Sequence, residues 1–189
     1  AEYKAAKKKP KYLQAVVEWV KSTKDNPQKF AKEASNYFNI NALCDYYTFT
    51  DVYGCADQRV KNMMLCFFYD PNASDHPVMG KMRGFFIFYD NDTILGLRND
   101  GRNKYPWWMD ENTLDEELSV GGRRVYAYAG HDSVLWNNLR TQFADELRAS
   151  YVRLRSKMSN DLIFDYFDNQ QTEKFCTRVY NIDGVMKYV

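Results

Sequence analysis

The sequence predicts a mostly helical α+β fold with one small antiparallel β-hairpin. Two apolar segments, 63–69 and 84–89, flank a polar connection that contains Pro, Asn, Ser and Gly, which is typical of a hairpin loop. The segments before and after this pair carry apolar residues at the spacing of amphipathic helices. The 189 residues are enough for one domain of moderate size.

Polar residues and a glycine mark the ends of the helices predicted before the hairpin. Asn26 is placed to cap the second helix, with Pro27 at its first position. Asn39 or Asn41 is placed to cap the third helix. Gly54 ends that helix, because glycine accepts a left-handed backbone. The side chains predicted to face the core from these three helices are Leu13, Val16, Val17, Val20, Phe30, Ala34, Tyr37, Phe38, Leu43, Tyr46, Tyr47 and Thr50.

The two strands of the hairpin are predicted from their apolar runs. Residues 63–69 are continuously apolar, which predicts a strand buried on both faces or nearly so. Residues 70–80 form a flexible connection, and residues 85–89 are predicted as the partner strand. From about 95 to 130 the sequence predicts a long irregular region, and such regions are usually functional or mobile.

Helices are predicted again after the irregular region. The longest runs from 132 to 157, with Asp132 or Ser133 as its cap. Another follows with Ser159 or Asn160 as its cap. Residues 173–180 are predicted as one more short helix. The side chains predicted to be buried in the first two of these helices are Leu135, Leu139, Phe143, Leu147, Tyr151, Leu154, Leu162, Ile163, Tyr166 and Phe167.

The charge balance and the cysteines limit the classes of protein and partner. The sequence has 26 basic and 25 acidic side chains, so no overall field points to nucleic acid or an anionic membrane as partner. No apolar run is long enough to span a bilayer. The Lys-rich residues 1–11 are interpreted as a leader or linker, and 12–189 as a single domain of a longer polypeptide. The cysteines form no CxxC pair and are predicted to be buried thiols, at Cys44, Cys55, Cys66 and Cys176.

Asp57 and Asn62 have the spacing that a protein kinase uses in its catalytic loop. There, an Asp accepts the proton of the substrate hydroxyl, and an Asn five residues later holds a metal ion. In this chain the loop is followed by the strand pair, and Asp90 and Asp92 come where the second strand ends. Residues two apart in a strand point to the same side, so both carboxylates can face one metal ion.

Each of these residues also has a simpler structural explanation. Arg59 and Lys61 lie in the same loop and can bind phosphate, or they can pair with nearby acids at the surface. Asp57 can serve merely to cap or turn the chain after Gly54. The alternative to a kinase-like fold is then an unrelated α+β domain, and the strand pair with Asp90 and Asp92 favours the kinase-like fold.

The order of the motifs resembles the C-terminal half of CotH-type kinases, which are atypical protein kinases related to spore-coat protein H. The resemblance covers about residues 27–100, and the helices from 132 to 180 are compatible with it. The matching segments are Tyr37-Phe38-Asn39, Leu43, Asp45-Tyr46-Tyr47, Gly54, Asp57-x-Arg59-x-Lys61-Asn62, Phe88-Tyr89-Asp90-x-Asp92-Thr93 and Leu95-Gly96.

This resemblance implies a kinase-like C-terminal lobe with a magnesium and ATP site. Asp57 would be the catalytic base or orienter, and Asn62 would hold the metal with Asp90 or Asp92. The chain departs from a complete kinase, because the segment before the catalytic-type loop is predicted to be helical. It carries no Gly-rich loop and no Lys placed for the phosphates, so the N-terminal lobe either belongs to a longer polypeptide or has been lost.

A second, looser likeness is to long virion proteins of bacteriophages that infect gut bacteria. It rests on residues 133–138, read as Ser-Val-Leu-Trp-Asn-Asn, and on residues 180–184, read as Tyr-Asn-Ile-Asp-Gly. It implies a module of a large virion or surface structural protein with residual metal or nucleotide binding. Its partners would be other virion or surface-assembly proteins in an oligomeric assembly at the virion or outer surface, reached after synthesis in the cytoplasm. The alternative is an active magnesium-dependent protein kinase that transfers a phosphoryl group from ATP to a protein hydroxyl.

Overall fold

The structure is a computed structural model, and most of its described residues are helical. It describes residues 10–55, 58–59, 62–89, 119–120, 123–124 and 133–172, except the side chains of residues 119–120, 123–124, 167 and 170–172. The helices are α1 (Lys11–Ser22), α2 (Pro27–Tyr37), α3 (Ile40–Val52), α4 (Val134–Gln142), α5 (Ala144–Lys157) and α6 (Asn160–Thr172). The strands are β1 (Met64–Tyr69), β2 (Met82–Ile87), β3 (Ser119–Val120) and β4 (Arg123–Arg124). The predicted class, a mostly helical α+β fold with an antiparallel hairpin, is confirmed.

The predicted helix ends before the hairpin are confirmed in atomic detail. The Asn26 side chain accepts a hydrogen bond from the backbone N–H of Lys29 at 2.9 Å, with Pro27 at the first helical position. Of the two alternatives for α3, Asn39 is the cap, and its side chain accepts from the N–H of Ala42 at 2.9 Å. Gly54 has a φ of 57°, which glycine adopts without steric cost.

β1 and β2 form the predicted antiparallel hairpin. Their register runs without interruption from Met64 opposite Ile87 to Tyr69 opposite Met82. The other side of β2 meets the chain between α2 and α3, where the N–H of Asn39 donates to the carbonyl of Gly84 at 3.0 Å. The hairpin is therefore attached to the helices through β2.

Two details of the strand predictions are wrong. β2 covers Met82–Ile87 rather than 85–89, because β1 begins opposite Ile87 and offers no ladder partner to Phe88 and Tyr89. β1 is half-buried rather than buried on both faces, because α2 and α3 pack against β2 and leave β1 less covered. A third correction concerns the region predicted to be irregular, where β3 and β4 form a short antiparallel pair.

An aromatic cluster forms the centre of the core. Trp19 stacks on Tyr37 and on Phe30, with ring centroids 4.4 Å and 5.0 Å away. The face predicted for α1 is therefore rotated. Val16 is buried as predicted, but Leu13 and Val17 are exposed, because the large Trp19 side chain sets which face of α1 turns inward. The buried core residues are Val16, Trp19, Phe30, Ala34, Phe38, Leu43, Cys44, Tyr46, Tyr47, Met79, Phe86, Leu135, Trp136 and Leu139.

The predicted single helix from 132 to 157 is wrong, since the chain bends at Phe143. This residue has φ −124° and ψ 38°, and it separates α4 from α5. Its ring packs edge-on against Phe30 at 6.0 Å. The bend also changes the phase of the buried stripe, so Tyr151 is exposed although the uninterrupted pattern placed it inward. Ser133 occupies the cap position of α4 without a side-chain hydrogen bond.

The chain divides into two compact units, Ala1–Tyr151 and Val152–Val189, with the boundary inside α5. In the second unit Ser159 caps α6 as predicted, and its hydroxyl accepts from the N–H of Leu162 at 3.2 Å. The inward placement predicted for Leu162 and Tyr166 is wrong. Leu162 is 54% exposed and Tyr166 is 63% exposed, so the apolar spacing of α6 does not correspond to a buried stripe at these two residues. The helix predicted at 173–180 lies outside the described residues, and the domain bounds stay a prediction.

The cysteine prediction is confirmed for two residues. Cys44 and Cys55 are buried thiols, whereas Cys66 in β1 is only half-buried, because β1 itself is incompletely covered. Cys176 lies outside the described part of the chain. None of the helices that the structure describes combines the length and the apolar character needed to cross a membrane.

Candidate functional site

The loop after α3 is held by hydrogen bonds to its backbone from two buried aromatic residues. The hydroxyl of Tyr46 donates to the carbonyl of Gln58 at 2.7 Å. The indole Nε1 of Trp136 donates to the carbonyl of Arg59 at 2.9 Å. Both donors are buried, and a buried Tyr or Trp normally finds such a partner. Residues 58 and 59 are consequently fixed from α3 on one side and from α4 on the other.

The Gln58 side chain connects this loop to the end of the hairpin. Its Nε2 donates to the carbonyl of Tyr89 at 3.1 Å, across 31 positions of sequence. In the chain, Asp57 comes immediately before Gln58, and Asp90 comes immediately after Tyr89. The bond therefore joins the two segments that carry the predicted base and the predicted metal ligand.

The end of the hairpin, which supplies the Tyr89 carbonyl, packs against α3. The ring of Phe88, next to Tyr89, lies 5.1 Å from Tyr46 and 4.5 Å from Phe49, measured between ring centroids. Tyr46 thus contacts the hairpin end through its ring and the loop through its hydroxyl. One residue of α3 supports both sides of the junction.

The Arg59 side chain points inward rather than toward solvent. Its guanidinium lies over the ring of Tyr47, 4.5 Å from the centroid, and its Nη1 is 3.0 Å from Oδ1 of Asp51. The contact with Asp51 is an ion pair without hydrogen-bond alignment, so Nε and Nη1 find no hydrogen-bond acceptor among the described residues. Arg59 therefore pairs with a nearby acid, which was one of the two alternatives predicted for it. The pair is not a surface pair, because the Arg59 side chain is buried.

Burial controls the protonation of the groups around Arg59. Desolvation raises the pKa of the Cys55 thiol to about 12, and the positive charge of Arg59 opposes this rise. The pKa values of the Tyr46 and Tyr47 hydroxyls are also raised, chiefly by burial. All three groups are therefore neutral at neutral pH, and Cys55 is not an activated nucleophile.

Only two of the predicted site residues lie within the described part of the chain. Arg59 is buried as above, and Asn62 is half-buried just before β1. Four of the predicted site residues lie outside the described residues: Asp57, Lys61, Asp90 and Asp92. The described residues by themselves include no group of three metal-ligating side chains.

The donor set of the predicted site suits magnesium. Carboxylate and amide oxygens are hard ligands of the kind that Mg²⁺ binds, and Asn62, Asp90 and Asp92 supply them. The bond from Gln58 to Tyr89 ties the loop that leads to Asn62 to the segment that leads to the two acids. The residues present therefore fit this ion.

Sequence reasoning missed the three residues that hold the junction together. Tyr46 was predicted only as a core residue, and Trp136 only as part of a short motif. Gln58 was passed over. The sequence shows that Gln58 follows Asp57. It does not show the bond to Tyr89, because a hydrogen bond from a side chain to a backbone 31 residues away produces no periodic pattern in the sequence. The polar ends of Tyr46 and Trp136 were the available hint, because such groups need partners when they are buried.

The described residues form an α+β domain in which the loop after α3 is joined to the end of the hairpin. The model of the CotH kinase protein family matches residues 1–182, and the chain belongs to this family. The match confirms the resemblance and extends it well beyond residues 27–100. Comparisons with curated proteins and with solved structures find no match to the chain.

Proposed function

We propose that this CotH-family domain binds a magnesium nucleotide at the junction of the Asp57 loop and the hairpin end, and transfers a phosphoryl group to a protein hydroxyl. The observation that carries the proposal is the hydrogen bond from Gln58 to the carbonyl of Tyr89. It joins segments that are separate in sequence and that hold the candidate base and the candidate metal ligands. The family match supports the same class of chemistry.

The residues divide the reaction between them in the manner of a protein kinase. Asp57 accepts the proton of the substrate hydroxyl while the oxygen of that hydroxyl bonds to the γ-phosphorus of ATP. The bond between that phosphorus and the β,γ-bridging oxygen breaks, and ADP leaves. Asn62 would hold magnesium together with Asp90 or Asp92. When bound, the ion neutralises charge on the phosphate oxygens.

Of the two basic residues, Lys61 is the proposed phosphate contact. The Arg59 guanidinium is almost fully buried and is paired with Asp51, so its charge is already committed. Its proposed part is to hold the loop through Tyr47 and Asp51. Lys61 follows Arg59 by two positions in the same loop, and its point charge suits a phosphate oxygen.

Transfer is tested with the purified chain, radiolabelled ATP, magnesium and a protein acceptor. Asp57→Asn and Asp90→Asn remove the proposed base and a proposed metal ligand with little change in size, and each is expected to lower labelling by at least about 100-fold. Asp25→Asn, in the turn between α1 and α2, is the matched control and keeps wild-type labelling. Labelling that survives both site substitutions would overturn the proposed roles.

A second candidate function is assembly in a larger virion or surface protein. The observation that favours it is the exposure of large apolar side chains, because exposed apolar groups often mark protein interfaces. More than half of the side chain is exposed at Tyr69, Tyr89, Val152, Leu162, Phe164 and Tyr166. The partners would be other proteins of an oligomeric virion or surface assembly, met outside the cell after cytoplasmic synthesis.

The assembly function is tested on purified virions or surface assemblies. Mass spectrometry is expected to find the chain at a fixed copy number, and electron microscopy is expected to place it at a symmetric position. Particles that lack the chain would count against the assembly role. That outcome leaves phosphoryl transfer intact, since the labelling experiment uses the isolated protein.

A further inference from the structure

We infer that Gln58 is a positioning residue: its amide holds the Asp57 loop against the hairpin end and thereby sets the affinity of the site for magnesium. The inference rests on the proposed function and adds to it a residue that touches neither metal nor nucleotide. Gln58 is completely buried, and its Nε2 donates to the carbonyl of Tyr89 at 3.1 Å.

Chemistry fixes the orientation of the Gln58 amide. A carbonyl oxygen only accepts, so the atom of the glutamine that faces the Tyr89 carbonyl must be the NH₂ nitrogen. A residue of the same length without this donor cannot replace the bond. The interaction is therefore specific to the amide and goes beyond the filling of space.

Both ends of the Gln58 connection are also held by buried aromatic residues, and Tyr46 contributes to both. On the loop side, Tyr46 holds the carbonyl of Gln58, and Trp136 holds the carbonyl of Arg59. On the hairpin side, the ring of Phe88 packs between Tyr46 and Phe49. The glutamine amide adds a direct hydrogen bond between these two packed segments, and this bond fixes their spacing.

Magnesium is the ligand most sensitive to that spacing. The ion requires nearly octahedral oxygen ligands at about 2.0–2.1 Å, and a productive site tolerates shifts of only about 0.5 Å in its support. The Gln58 bond joins the two segments that carry the proposed ligands. Asn62 belongs to the loop at the donor end of the bond, and Asp90 and Asp92 follow Tyr89 at the acceptor end. Removal of a hydrogen bond that orients a metal ligand costs about 10- to 100-fold in metal affinity, and the Gln58 bond holds the residue that precedes the proposed ligand Asp90.

The test is the magnesium dependence of ATP binding in Gln58→Met, measured by calorimetric titration at fixed ATP. Methionine keeps the length of the side chain and removes the donor. The half-saturating magnesium concentration is expected to rise about 10- to 100-fold, with binding recovered at high magnesium. Gln14→Met is the matched control, because Gln14 bonds to Glu18 on the exposed face of α1. The control is expected to bind magnesium as the wild type does.

A second readout uses the protein without metal or nucleotide. Amide hydrogen exchange in peptides that cover residues 56–62 and 88–92 is expected to accelerate in Gln58→Met, while exchange within α2 stays unchanged. Gln58→His keeps an N–H donor, and both readouts are expected to return toward wild type. If Gln58 had a purely structural role, Gln58→Met would lower the melting temperature. The half-saturating magnesium concentration of the protein that remains folded would then be unchanged.

The possible failures are distinguishable. If the wild type does not bind ATP with magnesium, the proposed function fails, and this inference fails with it. If the wild type binds and Gln58→Met has the same half-saturating magnesium concentration within about twofold, only the inference is overturned. If Gln58→Met does not fold, the same comparison is made with Gln58→Asn, whose shortened amide is expected to weaken magnesium binding.

Discussion

Asp51 and Arg59 form an ion pair whose partners lie in different surroundings. The Arg59 side chain is 2% exposed and that of Asp51 is 52% exposed, with 3.0 Å between Nη1 and Oδ1. Solvent reaches the carboxylate and screens the pair, but the guanidinium has left water and depends on Asp51 and on the Tyr47 ring. The energy of the pair should therefore lie between that of a surface pair and that of a buried one.

Asp51→Asn should destabilise the fold by about 1–3 kcal/mol, because it leaves a buried guanidinium without its counter-charge while solvent limits the loss. The free energy of unfolding is measured by urea titration. Asp145→Asn is the control, since Asp145 pairs with Arg148 where both side chains are almost fully exposed. It should cost no more than about 0.5 kcal/mol. Equal effects of the two substitutions would show that Arg59 does not depend on Asp51.

Tyr46→Phe should cost about 1–3 kcal/mol of unfolding free energy. The ring contacts remain, but the buried carbonyl of Gln58 loses the hydroxyl that donates to it at 2.7 Å. Chemical denaturation measures the loss. Tyr69→Phe removes a hydroxyl from an exposed residue of β1 and should leave stability within about 0.5 kcal/mol of wild type. A neutral Tyr46→Phe would mean that water or another donor satisfies the carbonyl.

The stability of the protein should decline at alkaline pH partly through Cys55. Its pKa is raised from 9.0 to about 12 on folding, so the folded state favours the neutral thiol. The resulting stabilisation is complete below pH 9 and is lost as the pH rises toward 12, by at most about 1.4 kcal/mol per pH unit. Urea midpoints between pH 8 and 11 should therefore fall less steeply in Cys55→Ala than in wild type. The comparison at pH 7, where the Cys55 thiol is protonated in both the folded and the unfolded state, is the internal reference.

Gly84→Ala should destabilise the hairpin by about 1–3 kcal/mol through overpacking. A methyl group at this position would lie 3.1 Å from Leu65 Cδ1, 3.2 Å from Phe38 Cδ1 and 3.2 Å from the carbonyl oxygen of Tyr37. The neighbours on both sides must therefore move. Thermal unfolding and hydrogen exchange in β2 report the effect. An unchanged melting temperature would show that β2 shifts freely against α2.

The helix ends were predictable from sequence because they depend on neighbouring residues. Asn26 and Asn39 cap helices through bonds to N–H groups three positions ahead, and Gly54 needs only its own backbone freedom. The hairpin was predictable for a similar reason, since a polar turn separates two apolar runs. The resemblance to the CotH family was also readable from the order of the motifs, and the family match confirms that resemblance.

The remaining features depend on contacts between distant parts of the chain. The bend at Phe143 follows the packing of its ring on Phe30, and no local breaker residue announces it. The inward face of α1 is set by Trp19 against Tyr37. At the candidate site, the bond from Gln58 to Tyr89 could not be inferred, because helical and strand periodicity describe faces of elements and not side chain-to-backbone bonds.

The bond from Trp136 to the carbonyl of Arg59 has a consequence for the order of events at the ribosome. The two residues are 77 positions apart, and synthesis proceeds at about 5–20 residues per second. The Arg59 loop therefore exists for about 4–15 s before its indole partner has been made. During that interval α3 can already supply the hydroxyl of Tyr46, whereas the loop is fully secured only when α4 arrives. The backbone at Arg59, in the loop that follows the proposed catalytic base, is thus secured only after α4 has been translated.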